Sequence, residues 1–217
     1  MAPVMMGAPP PEPPRVDRFT SVVVHVIFVL SGVAALLYQL VWQRLLLMLY
    51  GSNTESVALV VSAFLTGLGL GSIAGGAVSR SARAPLVLLF SGAEFLIGVY
   101  GIVSLRLFHW VGEYTLNAGT LEAGALAFGL VLIPTLLMGA TLPLLVAFRV
   151  RDSGHVGRSV SWLYFANTLG AGLGAVLAAA VFFSALGLQG TAAVASSLNG
   201  VSALSILALC LFRPMRP

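Results

Sequence analysis

Six long stretches of this sequence are almost free of charge, and no other feature limits its fold as much. They run at about 20–50, 56–79, 85–108, 123–148, 159–186 and 190–212. Each is too long for a buried strand. At about 1.5 Å of rise per residue, each is long enough to cross a hydrocarbon layer roughly 30 Å thick as a helix. A backbone group left unpaired in hydrocarbon costs several kcal/mol, so an open structure there must be helical. Composition agrees, with 59% hydrophobic and 8% charged residues, where a soluble domain carries about 25% charged. The mean hydropathy is +1.01. The expectation is an all-α integral membrane protein. Six transmembrane helices occupy a membrane domain at 19–213, preceded by a flexible, Pro-rich cytoplasmic tail at 1–18. The first run stays apolar past Tyr38 towards Tyr50 with no clear small-x-small site, so it reads as a retained span and not as a cleaved signal.

The cations fix an orientation for those spans. All 11 basic residues are arginine. In a six-span arrangement Arg15, Arg18, Arg80, Arg83, Arg149, Arg151, Arg158, Arg213 and Arg216 all fall on one side. Glu55, Glu113 and Glu122 fall on the other, with Arg44 and Arg106 near helix ends there. The positive-inside rule then places both termini in the cytoplasm, and the expected location is the cell's inner (plasma) membrane. Arginines scattered over loops and tails are explained by topology, so no nucleic-acid partner is expected. The same frame sets Trp42, Trp110 and Tyr114 near the outer interface and Trp162 near the inner one.

Glu94 is the exception within the runs. It has at least nine uncharged residues on either side. A carboxyl near the middle of a span costs on the order of 3 kcal/mol, so it must face protein or water. Counting about 1.5 Å per residue from Pro85 and Arg158 brings Glu94 and Asn167 to similar depths. Ser31, Thr66, Thr135, Thr141, Asn199 and Ser202 lie within two turns of that level. The chain therefore offers an intramembrane polar site on Glu94 and Asn167, read either as a small cavity or proton site or as interhelical hydrogen bonding. Pro134 and Pro143 sit inside the fourth run and are expected to kink it.

Two spans share a pattern. Gly67-Leu-Gly-Leu-Gly71 in the second and Gly170-Ala-Gly-Leu-Gly174 in the fifth both read G-x-G-L-G. Each extends by four residues to a small one, Gly75 and Ala178. Small residues four apart let helices approach closely, so Gly67, Gly71, Gly75, Gly170 and Gly174 are expected packing positions. Two readings stand: a 3+3 inverted-topology repeat of the kind found in transporters, or two independent packing stripes. The lone Cys210 allows no intrachain disulfide and reads as a small buried hydrophobe. His25, His109 and His155 do not cluster, no HExxH or GxSxG occurs, and no catalytic, cofactor or metal residue is assigned.

Several segments together resemble one family. They are Ser31 to Arg44, Ala63-Phe64 through Gly75-Gly76, Glu94 with Ile97-Gly98, and Met138 to Leu144. To these add Val156-Gly157-Arg158 leading into Leu163 to Gly170, and Ala185 to Thr191. This set, spread over residues 28 to 205, resembles the membrane portion of fused major-facilitator/spermidine-synthase-like (polyamine aminopropyltransferase-like) proteins. In that family the membrane helices precede a soluble domain with a glycine-rich nucleoside loop and an acidic catalytic residue. No such residues occur in this sequence, and Ala77 and Ser79 stand near the places of the family's inner-loop arginine and aspartate. In the first segment Tyr38, Gln39, Trp42 and Arg44 form either an interface anchor or the outer mouth of a cavity at Glu94. The resemblance implies a non-catalytic membrane subunit or anchor in the lipid bilayer, working with a protein partner or as a homo-oligomer. The alternative is a small transporter of an amine or related metabolite, acting as a homodimer of six-helix halves. An enzyme acting within the membrane ranks below both.

Overall fold

The computed structural model describes residues 18–51, 53–117, 119–153 and 156–212. Most of the Pro-rich tail, with Arg15, lies outside the described residues, as do His155, Arg213 and Arg216. The described chain is helical, without strands. Its elements are α1 (Arg18–Tyr50), α2 (Asn53–Ser79), α3 (Leu86–Tyr114), α4 (Thr120–Ser153), α5 (Val156–Leu177) and α6 (Phe183–Phe212). A 3₁₀ turn, Thr115–Asn117, follows α3, and a π-helical segment, Ala178–Phe182, joins α5 to α6.

Five helices are long and apolar enough to cross a membrane. They are Arg18–Tyr50, Thr54–Ser79, Leu86–Tyr114, Leu121–Arg151 and the 51-residue stretch Ser159–Leu209. The sequence reading expected six, and the difference lies in the last stretch. Where a loop was expected around 187–190, the chain bends at one residue and stays helical on either side. Gly187 has φ 65° and ψ −169°, a backbone state essentially closed to residues with a Cβ. Thr191 Oγ1 donates to the Gly187 carbonyl at 2.6 Å and ties the bend together. Helix ends also run further than the apolar runs: α3 reaches Tyr114 and α4 starts at Thr120. Charge limits an apolar run but does not stop a helix.

The helices pair through glycine. A Cβ on Gly67, Gly71 or Gly75 of α2 would overlap Thr135, Leu136 or Ala140 of α4. A Cβ on Gly170 or Gly174 of α5 would overlap Val29 or Val33 of α1. The middle glycines of both motifs, Gly69 and Gly172, face open space. Partner glycines answer from the opposite helices, Gly139 against the Leu68 carbonyl and Gly32 against the Asn167 carbonyl. Residue numbers rise together along both contacts, so α2 runs parallel to α4 and α5 runs parallel to α1. By contrast α6 is antiparallel to α3, since Ser91 meets Ala203 and Glu94 meets Asn199.

α4 continues through Pro134 and Pro143 without interruption. Pro134 lacks the N–H that would bond the Leu130 carbonyl. The Tyr100 hydroxyl of α3 fills that place, donating to Leu130 O at 2.6 Å. Thr135 Oγ1 donates to the Val131 and Leu132 carbonyls one turn back, both at 2.9 Å. The turn that Pro134 loosens is thus satisfied by side chains.

One end of the bundle gathers Arg18, Arg80, Arg83, Arg149 and Arg151. Arg151 donates to Ser81 O at 2.7 Å, Ala84 O at 3.3 Å and Ser79 O at 3.4 Å. It closes the carbonyl end of α2 and the turn into α3, as a cation at a helix C-terminus does.

These contacts give two expectations for unfolding in detergent. Gly71→Val and Gly170→Val destabilise the protein by about 2 kcal/mol or more through overpacking, whereas Gly69→Ala and Gly172→Ala leave stability unchanged or raise it by up to ~1 kcal/mol. Tyr100→Phe costs about 1 kcal/mol, and a double-mutant cycle shows less of that cost in a Pro134→Ala background, where the Leu130 carbonyl regains its own donor.

Candidate functional site

The polar groups of the interior line up along one seam, where α1, α3 and α6 meet. Glu94 is fully buried on α3. Ser31 Oγ of α1 donates to its Oε1 at 2.7 Å, and Asn199 Nδ2 of α6 donates to its Oε2 at 2.6 Å. Both carboxyl oxygens are therefore held by neutral donors from two other helices. Gly98, one turn on, lets Ser196 and Asn199 of α6 come close to α3.

Seven residues further along α1 the seam continues. The hydroxyls of Tyr38 and Ser196 are hydrogen-bonded at 3.0 Å. The Tyr38 ring fills the space that a side chain at Gly101 would take. One more turn along, Trp42 Nε1 donates to Ser104 Oγ at 3.1 Å, and Ser104 Oγ donates to the Gly101 carbonyl at 2.9 Å. Tyr38 and Trp42 stack with ring centres 5.3 Å apart, and Trp42 stacks on Phe108 at 6.3 Å. Each aromatic thus has an apolar face packed and its polar atom answered, as burial of Tyr and Trp requires.

Tyr38 and Trp42, expected at an interface or an outer mouth, are instead wholly enclosed, each at 0% exposure. The sequence reading counted distance from the helix end and had no measure of which face α3 and α6 would cover. Gln39 is half-buried, and Arg44 is exposed with its guanidinium 3.7 Å from the centre of the Phe183 ring, a cation–π contact. Trp110 and Tyr114 are exposed and stacked at 6.1 Å near the end of α3. Asn167 is not one of the carboxyl's partners. Its carbonyl lies against Gly32, on the side of α1 that faces α5, whereas the neighbouring Ser31 faces α3. Successive residues on a helix point about 100° apart, so similar depth does not imply a shared site. Asn199 occupies the position next to Glu94 that the depth count gave to Asn167.

Ser196 and Ser104 received no part in the sequence reading. Their signal was a small residue facing each aromatic, which is visible only once the helix pairing is known. Asn199 Oδ1, beside Glu94, and Ser202 Oγ, one turn further along α6, are buried and have no hydrogen-bond partner among the described residues. His25 and His109 each direct Nδ1 at a carbonyl one turn back on their own helix, Ser21 O at 2.6 Å and Leu105 O at 2.7 Å. Two cavities open at the arginine-bearing end, one between α1 and α5 and one beside Pro85 and Arg151, and Glu94 lines neither.

No protein-family model matches this sequence, and no solved structure matches it. A curated protein described as a polyamine aminopropyltransferase, from Corynebacterium efficiens, is 30% identical to it over 201 residues. That alignment takes in 91% of this chain and 36% of the relative, so the chain spans little more than a third of the protein it matches.

Substitutions at the carboxyl separate its contacts from its charge. Glu94→Gln keeps one acceptor for Asn199 and offers Ser31 a donor in place of an acceptor, so stability falls by at most about 1 kcal/mol. Glu94→Leu leaves the Asn199 amide and the Ser31 hydroxyl without a partner and costs about 2–3 kcal/mol. Ser202→Ala, which removes an unanswered hydroxyl, is neutral or slightly stabilising. Denaturant titration in detergent micelles reads all three.

Proposed function

We propose that this chain is the membrane-embedded module of a system for polyamine aminopropyl transfer. It acts as a non-catalytic subunit or anchor and holds a catalytic partner at its arginine-bearing face, in the inner (plasma) membrane. The observation that carries this reading is the alignment: 91% of this chain matches 36% of a protein named for polyamine aminopropyl transfer. The matched part here consists of long apolar helices, and Glu94, the deepest acid among them, has both oxygens occupied by neutral donors. A sealed carboxyl fits a structural tie between α1, α3 and α6 better than a substrate or proton pathway. The transporter reading therefore has less behind it, since neither cavity includes Glu94.

The proposal includes six crossings, with both termini on the arginine side and hence cytoplasmic. Ser159–Leu209 would span about 75 Å as one straight helix, more than twice a hydrocarbon core. The Gly187 bend and the antiparallel contact of α6 with α3 favour two crossings for this stretch. The two halves, α1–α3 and α4–α6, would then be related as an inverted repeat. The pairing of helices supports that relation. Exchanging the halves turns the glycine contact of α2 with α4 into that of α5 with α1, and it leaves the α3–α6 contact in place.

Two measurements test the proposal. In cells that carry out aminopropyl transfer to a diamine, deleting this chain is expected to move that activity from the membrane to the soluble fraction. An unchanged distribution of activity, together with recovery of a lone polypeptide in mild detergent, overturns the subunit reading. For topology, single cysteines at Gly119 and Gln189 in a Cys210→Ser background are expected to label from one side of the membrane and a cysteine at Ser81 from the other. Labelling of 189 from the same side as 81 removes the sixth crossing.

A further inference from the structure

The seam of α1, α3 and α6 holds more oxygen lone pairs than the protein answers. Glu94 is fully buried, and its two hydrogen-bond partners, Ser31 and Asn199, are neutral. No Lys, Arg or His occurs in residues 26–43, 86–105 or 183–212, so none of the three helices brings a cation to that level. On α6, Asn199 is 2% and Ser202 0% exposed, yet Asn199 Oδ1 and Ser202 Oγ have no hydrogen-bond partner among the described residues. Residues three apart on a helix share a face. The antiparallel register sets this part of α6 level with the acid. Glu94 bonds to Asn199, and Ser91, one turn earlier on α3, donates to the Ala203 carbonyl at 2.9 Å. Ser202 therefore lies between two points where α6 is bonded to α3.

Buried polar atoms without a partner call for a specific occupant, and three small species differ in what they would answer here. A proton on Glu94 would remove the charge but leave Ser202 Oγ as it stands. Turning the Asn199 amide so that Oδ1 received that proton would leave Nδ2 without an acceptor instead. A water molecule would donate to both oxygens but leave an ionised carboxyl without a counter-charge inside the bundle. A small monovalent cation answers both needs, because hard cations take carbonyl, hydroxyl and carboxylate oxygens as ligands. One carboxyl balances one positive charge, and a divalent ion would carry a surplus charge into the interior. Among the described residues no group of three His, Cys, Asp or Glu gathers to hold a transition metal. An organic ammonium would need room beside Glu94 that neither cavity supplies.

We infer that α6 holds a small monovalent cation of the sodium class at Asn199 Oδ1 and Ser202 Oγ, with Glu94 as its counter-charge. The ion completes the tie between helices. It neutralises the acid that Ser31 and Asn199 already grip, and it gives the two remaining oxygens a partner. Enclosed by the seam, it is a resident ion that strengthens the packing of α6 on α3 and α1. The inference is independent of which catalytic partner the protein serves.

The test is unfolding of the intact, detergent-purified chain by urea, with choline chloride replaced stepwise by sodium chloride at constant ionic strength. Choline is too large to enter the seam. Sodium is expected to raise the unfolding midpoint along a saturating curve, with the folded-to-unfolded ratio about 100-fold higher at about 100 times the dissociation constant. Glu94→Gln removes the counter-charge and should abolish the sodium dependence. Because that substitution also alters two hydrogen bonds, Ser202→Ala accompanies it. In choline alone Ser202→Ala should be no less stable than the unsubstituted chain, while the half-saturating sodium concentration rises about ten-fold. Equal midpoints in sodium and choline would overturn the assignment. So would a rise that never saturates, which is a general salt effect, or full sodium dependence kept by either variant.

Discussion

Helices long and apolar enough to span a membrane, as five here are, would find in hydrocarbon neither water to satisfy their backbone nor a hydrophobic drive to bring them together. What remains is close contact, and here close contact depends on glycine. At Gly71 and Gly75 of α2, and at Gly170 and Gly174 of α5, a neighbouring backbone lies where a Cβ would stand, and at Gly67 the Thr135 side chain lies there. Backbones at that separation gain dispersion contacts along the whole crossing. The answering positions, Gly139 of α4 and Gly32 of α1, show that each contact is built from both sides. These two crossings fix which helices run side by side, and the remaining contacts of the bundle are set around them.

Polar groups inside such a bundle must find partners, and this protein finds them between helices. Glu94 joins α3 to α1 and α6 through Ser31 and Asn199. Tyr38 and Trp42 extend the same line through Ser196 and Ser104. The Tyr100 hydroxyl answers the carbonyl that Pro134 leaves without a donor. Each of these bonds is modest, yet breaking one leaves a polar atom with nothing else to bond. The acid is closed in by neutral donors, and Tyr38 and Trp42 are buried and stacked on each other beside it, so this seam ties α1, α3 and α6 together.

Chemical variety lies instead at one end. Arg18, Arg80, Arg83 and Arg151 are exposed there, both cavities open there, and two helices begin there. A membrane module that serves a soluble activity would meet both lipid headgroups and its partner at such an end. The relative named for polyamine aminopropyl transfer matches this chain over little more than a third of its own length. The division between a scaffold in the bilayer and chemistry outside it follows from that proportion in the proposed reading.

The sequence by itself determined the class: helices long and apolar enough to span a membrane, with glycines spaced for close packing. Those features are periodic and local, so they can be read one segment at a time. It also singled out Glu94, because an acid in the middle of an apolar run is conspicuous without any knowledge of neighbours. It did not determine the acid's partners, nor whether Tyr38 and Trp42 face lipid or protein. Depth along a helix can be counted from the sequence, but direction around it has meaning only when the neighbouring helices are known. Asn167 and Asn199 lie at similar depth, and only the packing of α5 on a different face of α1 from the one that meets Glu94 decided which one reaches the carboxyl. The bend at Gly187 was likewise a tertiary outcome, since a glycine between two apolar segments is compatible with a loop, a kink or a straight helix until the packing of α6 against α3 selects one.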